Sequence, residues 1–190
     1  GSGYALIATG FSLIFNILKF SNFSHGALMT LSAFIGYFFA VKTGSSLIPV
    51  IIVSMLAGGL IAYIGELVAF RKITLRSTSP FYYFVSSITL GTLYEGIVTI
   101  WVGPNFYNYP RFFESMVINI GDFVISKSDL IMFISSGLAL ALLVIFIQKT
   151  RLGRALRSVS FDRDTAGLMG INVFGIIQLA FFISGALAGL

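Results

Sequence analysis

The chain has 190 residues, of which 57% are hydrophobic and 10% charged, where a soluble domain carries about a quarter charged residues. That balance excludes a soluble globular domain and implies an integral membrane protein, which suits twenty Phe and twenty Gly, since Gly is commoner in spanning helices than in soluble ones. The net charge of +5 is clustered at Arg71–Arg76 and at 149–163, as on cytoplasmic flanks and unlike a nucleic-acid surface, and the lack of cysteine excludes disulfides and thiolate metal sites.

Residues 1–18 form the first apolar run. No basic region precedes it, so it does not read as a cleavable signal peptide. Lys19 and the polar string Ser21-Asn22-Phe23-Ser24-His25 interrupt it. The next run, 26–41, has 16 residues, or about 24 Å of helix against a hydrocarbon core of about 30 Å. Two readings stay open. One is a tight cytoplasmic turn between two ordinary spans. The other is a helix broken within the membrane, with Asn22 and His25 facing a cavity rather than lipid, which makes Asn22, Ser24 and His25 candidates for a translocation path.

Residues 47–70 give a clear span with Pro49 near its start, where a missing N–H costs little. Ser54, Gly58, Ala62 and Glu66 recur every four residues and so share one helix face, and small residues at that spacing let another helix approach closely. Glu66, close to Arg71, reads as half of a structural ion pair. Arg71–Arg76 is expected to be a basic loop closed by Pro80.

The next span is 81–102, with Phe81, Tyr82, Tyr83, Phe84 and Trp101 at its ends and Tyr94 between, as in headgroup-level aromatic belts. Ser87, Gly91, Glu95 and Thr99 make a second small-polar stripe. A charged Glu95 facing lipid costs about 2.5–3.5 kcal/mol, so it is expected to face the bundle. There it is a functional candidate, with a Glu kept for packing by a hydrogen bond or a proton as the alternative of equal weight.

Residues 103–129 carry a net charge of −1 from Arg111, Glu114, Asp122, Lys127 and Asp129. One span separates this segment from each basic segment, which places it on the extracytoplasmic side. Apolar alternation through 116–126 around Gly121-Asp122 reads as a small hairpin, and Ser128 or Asp129 can cap the following span, 130–147.

Segment 149–172 holds five of the twelve basic residues and is expected in the cytoplasm. Within it Asp162 is a good N-cap, Asp164 sits in the first turn and Gly170 can serve as the residue after the C-cap, so a short helix over 163–169 has chemically sensible ends. Its free face offers Thr165, Leu168 and Met169, a small apolar surface suited to a soluble partner. On side-chain chemistry alone, a connecting loop with one helical turn is the simpler reading. Residues 173–190 begin a further span whose Ser184/Ala188 and Gly185/Gly189 pairs imply close helix packing. No internal repeat is evident. The chain starts without Met and stops inside an apolar run, so it is expected to be a fragment: one transmembrane domain over 1–190 lacking its carboxy-terminal spans.

Three stretches resemble a known family. GYALIATGFSLIF followed by NFSHG, GELVAFRK, and TRLGRALRSVSFDRDTAGLMGIN look like the branched-chain amino acid ABC transporter permeases of the LivH-like type. The family's Asn-Phe-Ala-His-Gly pattern has Ser24 in place of Ala, and Asn16 stands where Gly is common. Lys72 replaces the Pro of its Glu-Arg-x-x-Tyr-Arg-Pro segment, and an amide is more usual near Glu95. Binding-protein-dependent permeases carry a Glu-Ala-Ala, three residues, Gly signature in a coupling helix that seats on the ATPase. Asp164-Thr165-Ala166, Gly167-Leu168-Met169 and Gly170 follow it loosely, without the downstream Ile-x-Leu-Pro.

The resemblance implies an all-α, polytopic helical bundle of about six spans, one of them broken or re-entrant under the second reading above, with a short cytoplasmic coupling helix. It implies the permease subunit of an ABC importer for branched-chain or related amino acids in the inner membrane of a bacterium or archaeon. It also implies a second permease, two cytoplasmic ATPases, an extracytoplasmic binding protein and membrane lipid as partners, with no nucleic acid. Asp162, Asp164, Thr165, Ala166, Leu168, Met169 and Gly170 would couple to the ATPase, and Asn22, Ser24, His25 and Glu95 would belong to the path. No cofactor is implied and the chain is not itself an enzyme: ATP hydrolysis would reside in the partner ATPases, since no Gly-x4-Gly-Lys-Ser/Thr loop is present. Two rival functions stand beside this one. An ion-coupled secondary transporter would protonate Glu66, Glu95 or His25, and an intramembrane hydrolase would need more than the single Ser24–His25 pair, since no Gly-x-Ser-x-Gly elbow is present. Related permeases also carry urea and short amides, which remain alternative substrates.

Overall fold

The computed structural model describes residues 1–76, 79–103, 107–110, 112, 117–120 and 123–190. It is a helical bundle: α1 (Ser2–Leu18), α2 (His25–Thr43), α3 (Leu47–Gly65), a π-helical turn (Glu66–Phe70), α4 (Arg71–Arg76), α5 (Pro80–Val102), a hairpin of β1 (Val117–Ile120) and β2 (Phe123–Ser126), then α6 (Lys127–Lys149), α7 (Arg151–Phe161), α8 (Arg163–Leu168) and α9 (Val173–Gly189). Among the described residues four helices are long and apolar enough to cross a membrane: α2, the continuous helix Leu47–Arg76, α5 and α6. The apolar α1 and α9 have 17 residues each, about 26 Å. Four of the six apolar helices among the described residues thus have the length and composition of a span, and α1 and α9 are shorter.

The centre of the bundle is the pair α3–α9, the most extensive helix contact in the chain. Ser54, Gly58, Ala62 and Glu66 are all buried, as their shared face predicts. A methyl group at Gly58 would strike the Gly185 carbonyl, one at Gly185 the Gly58 carbonyl, and one at Gly189 the Ser54 carbonyl. With no Cβ on these three residues, two backbones touch, and van der Waals packing does what the hydrophobic effect cannot do within lipid. Gly36 of α2 lies against the Ser54 hydroxyl in the same manner.

Two corrections follow, one for the first basic segment and one for the aromatic belt of α5. Arg71–Arg76 is not a loop; the helix runs on through a π turn into α4. That turn brings residues five apart into line, and Glu66, fully buried, receives both Nε (3.1 Å) and Nη2 (3.2 Å) of Arg71. The Arg71 guanidinium also lies over the Phe174 ring at 5.0 Å. The structural ion pair read from the sequence is therefore present, and Glu66 is not a free site for a transported proton. Tyr83 is the second correction. It is a core residue, not part of a belt, stacked on Phe20 at 4.8 Å and donating to Thr74 Oγ1 at 2.9 Å. Its neighbours Phe81, Tyr82 and Phe84 are exposed, as belt residues are. Tyr94 is buried too, and its hydroxyl reaches the Ile61 carbonyl.

At the far ends of α2 and α5, Phe38 packs on Trp101 and Tyr37 on Tyr107 and Tyr109. The Tyr109 hydroxyl donates to the Ala33 carbonyl at 2.6 Å, tying the segment after α5 back over α2. The hairpin is antiparallel with Ile120 opposite Phe123, at the place the alternating pattern indicates. Its expected turn, Gly121-Asp122, lies outside the described residues, as do Arg111 and Glu114.

Candidate functional site

Two places in the chain combine polar chemistry with burial or exposure that packing alone does not require. The first is the start of α2. After Leu18 the chain turns at Lys19, which adopts the left-handed conformation (φ 57°) and closes α1 with a bond to the Phe15 carbonyl. It then runs back into the bundle. Asn22 Oδ1 accepts from the Ser24 amide (3.2 Å) and the Ser24 hydroxyl (2.7 Å), a side-chain turn that sets the first residue of α2. Asn22, Ser24 and His25 are all buried.

The neighbours of this turn give its depth. Gly10, in the middle of α1, lies against the His25 ring, Gly91, in the middle of α5, against Ser24, and Ser184 of α9 has its hydroxyl 3.5 Å from His25 Nδ1. Ser184 Oγ donates to the Gly10 carbonyl at 2.7 Å. His25 Nε2 is buried with no hydrogen-bond partner among the described residues. α2 therefore starts inset from the Leu18 end of α1, beside residues inside three helices. α2 itself is longer than the apolar run suggests, 19 residues rather than 16, because His25 and the Lys42-Thr43 end are helical.

Glu95 does not join this group, and the expectation that it faces the bundle is overturned. It follows Gly91 by one turn but is exposed, on a face shared with Ile88, Thr92 and Thr99, while Ser87 and Gly91 of the same predicted stripe are buried. Thr92 and Thr99 direct their hydroxyls to their own helix, at Ile88 O (3.1 Å) and Glu95 O (2.8 Å), and the Glu95 carboxylate has no partner among the described residues. A cavity of about 580 Å³ lies between the N-terminal halves of α1, α3 and α6, with Ser54, Tyr109, Ser128 and Ser135 as its polar points and no charged residue in its described lining.

The second place is α7–α8. Thr150 caps α7 by accepting from the Gly153 amide at 2.9 Å, and Gly153, Leu156 and Val159 form its buried side. Sequence reading missed this helix, although apolar residues at spacings of three with Arg151, Arg154 and Arg157 elsewhere on the helix are its signature. The short helix after it was legible. Asp162 Oδ1 accepts from the amides of Asp164 (2.9 Å) and Thr165 (3.1 Å), and Oδ2 takes the Thr165 hydroxyl at 2.7 Å. The Thr165 hydroxyl, with these amides, holds the Asp162 carboxyl below the usual aspartate value.

At the other end Gly170, φ 83°, sends its amide to Gly167 O (3.0 Å), and Ile171 sends its own to Ala166 O (3.1 Å). This pair of bonds with a left-handed glycine is the Schellman closure. Ala166 is buried and supports the turn from inside, so within the predicted coupling set it is packing and not surface. Asp164 and Thr165 are exposed. Leu168 and Met169 are 88% and 80% exposed and Phe161 is 94% exposed. Phe161 was not singled out from the sequence, because nothing in the spacing distinguishes it from the last residue of an apolar stripe.

Comparison with known proteins adds the following. A family model described as "Branched-chain amino acid transport system / permease component" matches residues 1–190. The chain is 28% identical to the high-affinity branched-chain amino acid transport system permease protein BraD of Pseudomonas aeruginosa, over 99% of this chain and 64% of that protein. It is 27% identical to the corresponding protein LivH of Escherichia coli K12 and 26% identical to that of Salmonella typhimurium, with the same two coverages. The chain thus spans 64% of the length of these curated relatives. No solved structure matches it.

Proposed function

The chain belongs to the family of branched-chain amino acid transport system permease components, and from that premise we propose that it forms part of the membrane path of an ABC importer for branched-chain or related amino acids. The observation that carries this reading is α8: a six-residue helix capped at both ends that holds Leu168 and Met169 bare within a basic segment. Rigid closure at both ends costs a cytoplasmic loop conformational freedom without adding to the core, and it suits a surface that must fit a partner.

In this reading the α7–α8 side faces the cytoplasm and α8 seats in a groove of an ATPase subunit. A second permease, a second ATPase and an extracytoplasmic binding protein complete the machine in the inner membrane. Nucleotide hydrolysis belongs to the ATPases. Asp162 and Gly170 shape the turn, Asp164 and Thr165 border it, and Leu168 and Met169 supply apolar contact. Asn22, Ser24 and His25, at the inset start of α2, support the path from within. Glu95, Thr92 and Thr99 form its polar edge on the outer face of α5. Urea or a short amide is the alternative cargo.

The test is co-purification of the ATPase with Leu168→Asp and Gly170→Val permease, together with substrate-stimulated ATP hydrolysis. Losing one buried Leu or Met contact removes about 1.5–3 kcal/mol, roughly a tenfold to hundredfold weaker association. Gly170→Val forces a β-branched residue into the left-handed region and unseats the same turn. Retention of a fully stimulated ATPase by both variants refutes the assignment.

A further inference from the structure

The carbonyls in the last turn of a helix have no partner within that helix. In α1 two of them are taken by side chains almost 150 positions away. Ser160 Oγ donates to the Asn16 carbonyl at 2.9 Å, and Arg163 donates Nε to the Ile17 carbonyl at 3.0 Å with its Nη2 on the same oxygen. Arg163 is the first residue of α8, directly after the Asp162 cap, so its position is set by the turn that bears Leu168 and Met169. Its cation sits at the negative end of α1, where it is electrostatically favoured. The joint is half-buried: Ile17, Leu18 and Val159 beside it are buried, Arg163 and Ser160 are partly covered, and Asn16 is exposed.

Two turns up the same helix is Gly10. Its carbonyl accepts from Ser184, and its bare Cα lies against the His25 ring, so close that a Cβ there would sit 3.1 Å from His25 Nε2, the atom left without a partner. A helix is stiff over two turns, about 10 Å. Any shift of Ile17 therefore moves Gly10 by nearly as much, directly at the inset start of α2.

We propose that Arg163, assisted by Ser160, is a positioning residue for transport: it clamps α8 to α1, making α1 the rod that carries movement of the partner-facing turn to the His25 end of α2. This rests on reading α8 as the seat of an ATPase. A covalent route also exists, since α8 leads through Gly170 into α9 and Ser184. The clamp is separable from it, because substituting Arg163 leaves the covalent route intact.

The experiment uses the assembled transporter with its ATPases and binding protein in proteoliposomes, radiolabelled leucine as cargo, and Arg163→Gln, Arg163→Lys and Leu168→Asp permeases. Loss of charge-assisted bonds in a partly buried joint should lower leucine uptake per ATP hydrolysed about tenfold in Arg163→Gln. The ATPase should stay bound, and Arg163→Lys, which keeps a donor and the charge, should recover part of the loss. Unchanged uptake per ATP in Arg163→Gln overturns the clamp. So does loss of the ATPase from Arg163→Gln, which would make Arg163 part of the seat. Leu168→Asp reports separately on the seat, so a failure there is a failure of the functional reading.

A second measurement keeps Arg163 native. The chain has no cysteine, so spin labels at Asn16→Cys and Ser158→Cys report only the α1–α7 distance. That distance should be the same without nucleotide and with ATP bound; a change of a helical turn, about 5 Å, would show the joint opening during the cycle and sink the proposal.

Discussion

Single residues fix the ends of the elements here, and Asp162 shows how much of that is local chemistry. Its carboxylate holds two amides and a hydroxyl, all within three residues. Asp162 should therefore titrate below ordinary aspartate in a carboxyl-resolved NMR titration. The sign follows from the direction of the shift: the cap is fully formed above the ordinary aspartate range and is lost only as pH falls through the depressed value. Asp162→Asn keeps an acceptor oxygen, so slow amide exchange at Asp164 and Thr165 should survive at neutral pH. In Asp162→Ala both amides should exchange faster, and equal protection in the Ala variant would show the cap to be idle. The Asp162 and Gly170 ends were legible in the sequence because a cap depends on a few consecutive residues. Glu95 was not. Burial side is decided by which helices pack on α5, and the Ser87–Gly91 half of its stripe is covered while the Glu95–Thr99 half is bare.

At the scale of elements, small residues every four positions announced the α3–α9 contact, since the same periodicity that defines a helix face also defines what can approach it. The strongest test of that contact is Gly185→Val. Its Cβ would run into the Gly58 carbonyl and sit 2.5 Å from the Ala62 methyl, and neither helix can withdraw without losing Gly189 against Ser54. Overpacking of this kind costs about 1–3 kcal/mol, visible as a lower midpoint of thermal unfolding in detergent, whereas Gly96→Val, with open space around its Cβ, should change little. A wild-type midpoint for Gly185→Val would mean the two helices are not in backbone contact. Other elements were hidden for identifiable reasons. The π turn at Glu66–Phe70 needs a five-residue spacing that no apolar pattern displays, and it appears only through the Glu66–Arg71 pair it creates. Helix α7 was concealed by its three arginines and the neighbouring Lys149, which made an amphipathic helix look like a charged loop; its buried Leu156 and Val159 were the available clue. The inset start of α2 needed knowledge of what Gly10, Gly91 and Ser184 sit beside, and a sequence does not contain that.

For the molecule as a whole, the charges and the bare surfaces must be compatible with one membrane. Most of the exposed side chains on the spans are apolar and can meet lipid, as Leu93, Ile97, Ile100 and the outer residues of α6 do. Glu95 cannot do so cheaply: an ionised carboxylate facing lipid within a span costs up to about 2.5–3.5 kcal/mol, and no described residue of this chain pairs with it. The face carrying Thr92, Glu95 and Thr99 should accordingly be turned toward water or a polar partner surface, as the edge of a path between two permeases is. Leu93, about half a turn round the same helix and 55% exposed, provides the lipid-facing control. In the assembled transporter, Glu95→Cys should react rapidly with a charged, water-soluble thiol reagent and be slowed when transport substrate is supplied in excess. Leu93→Cys, of comparable exposure in the isolated chain, should react slowly under both conditions. Equally slow reaction at both positions would place Glu95 against lipid and remove it from the path, leaving Asn22, Ser24 and His25 as the candidates that remain.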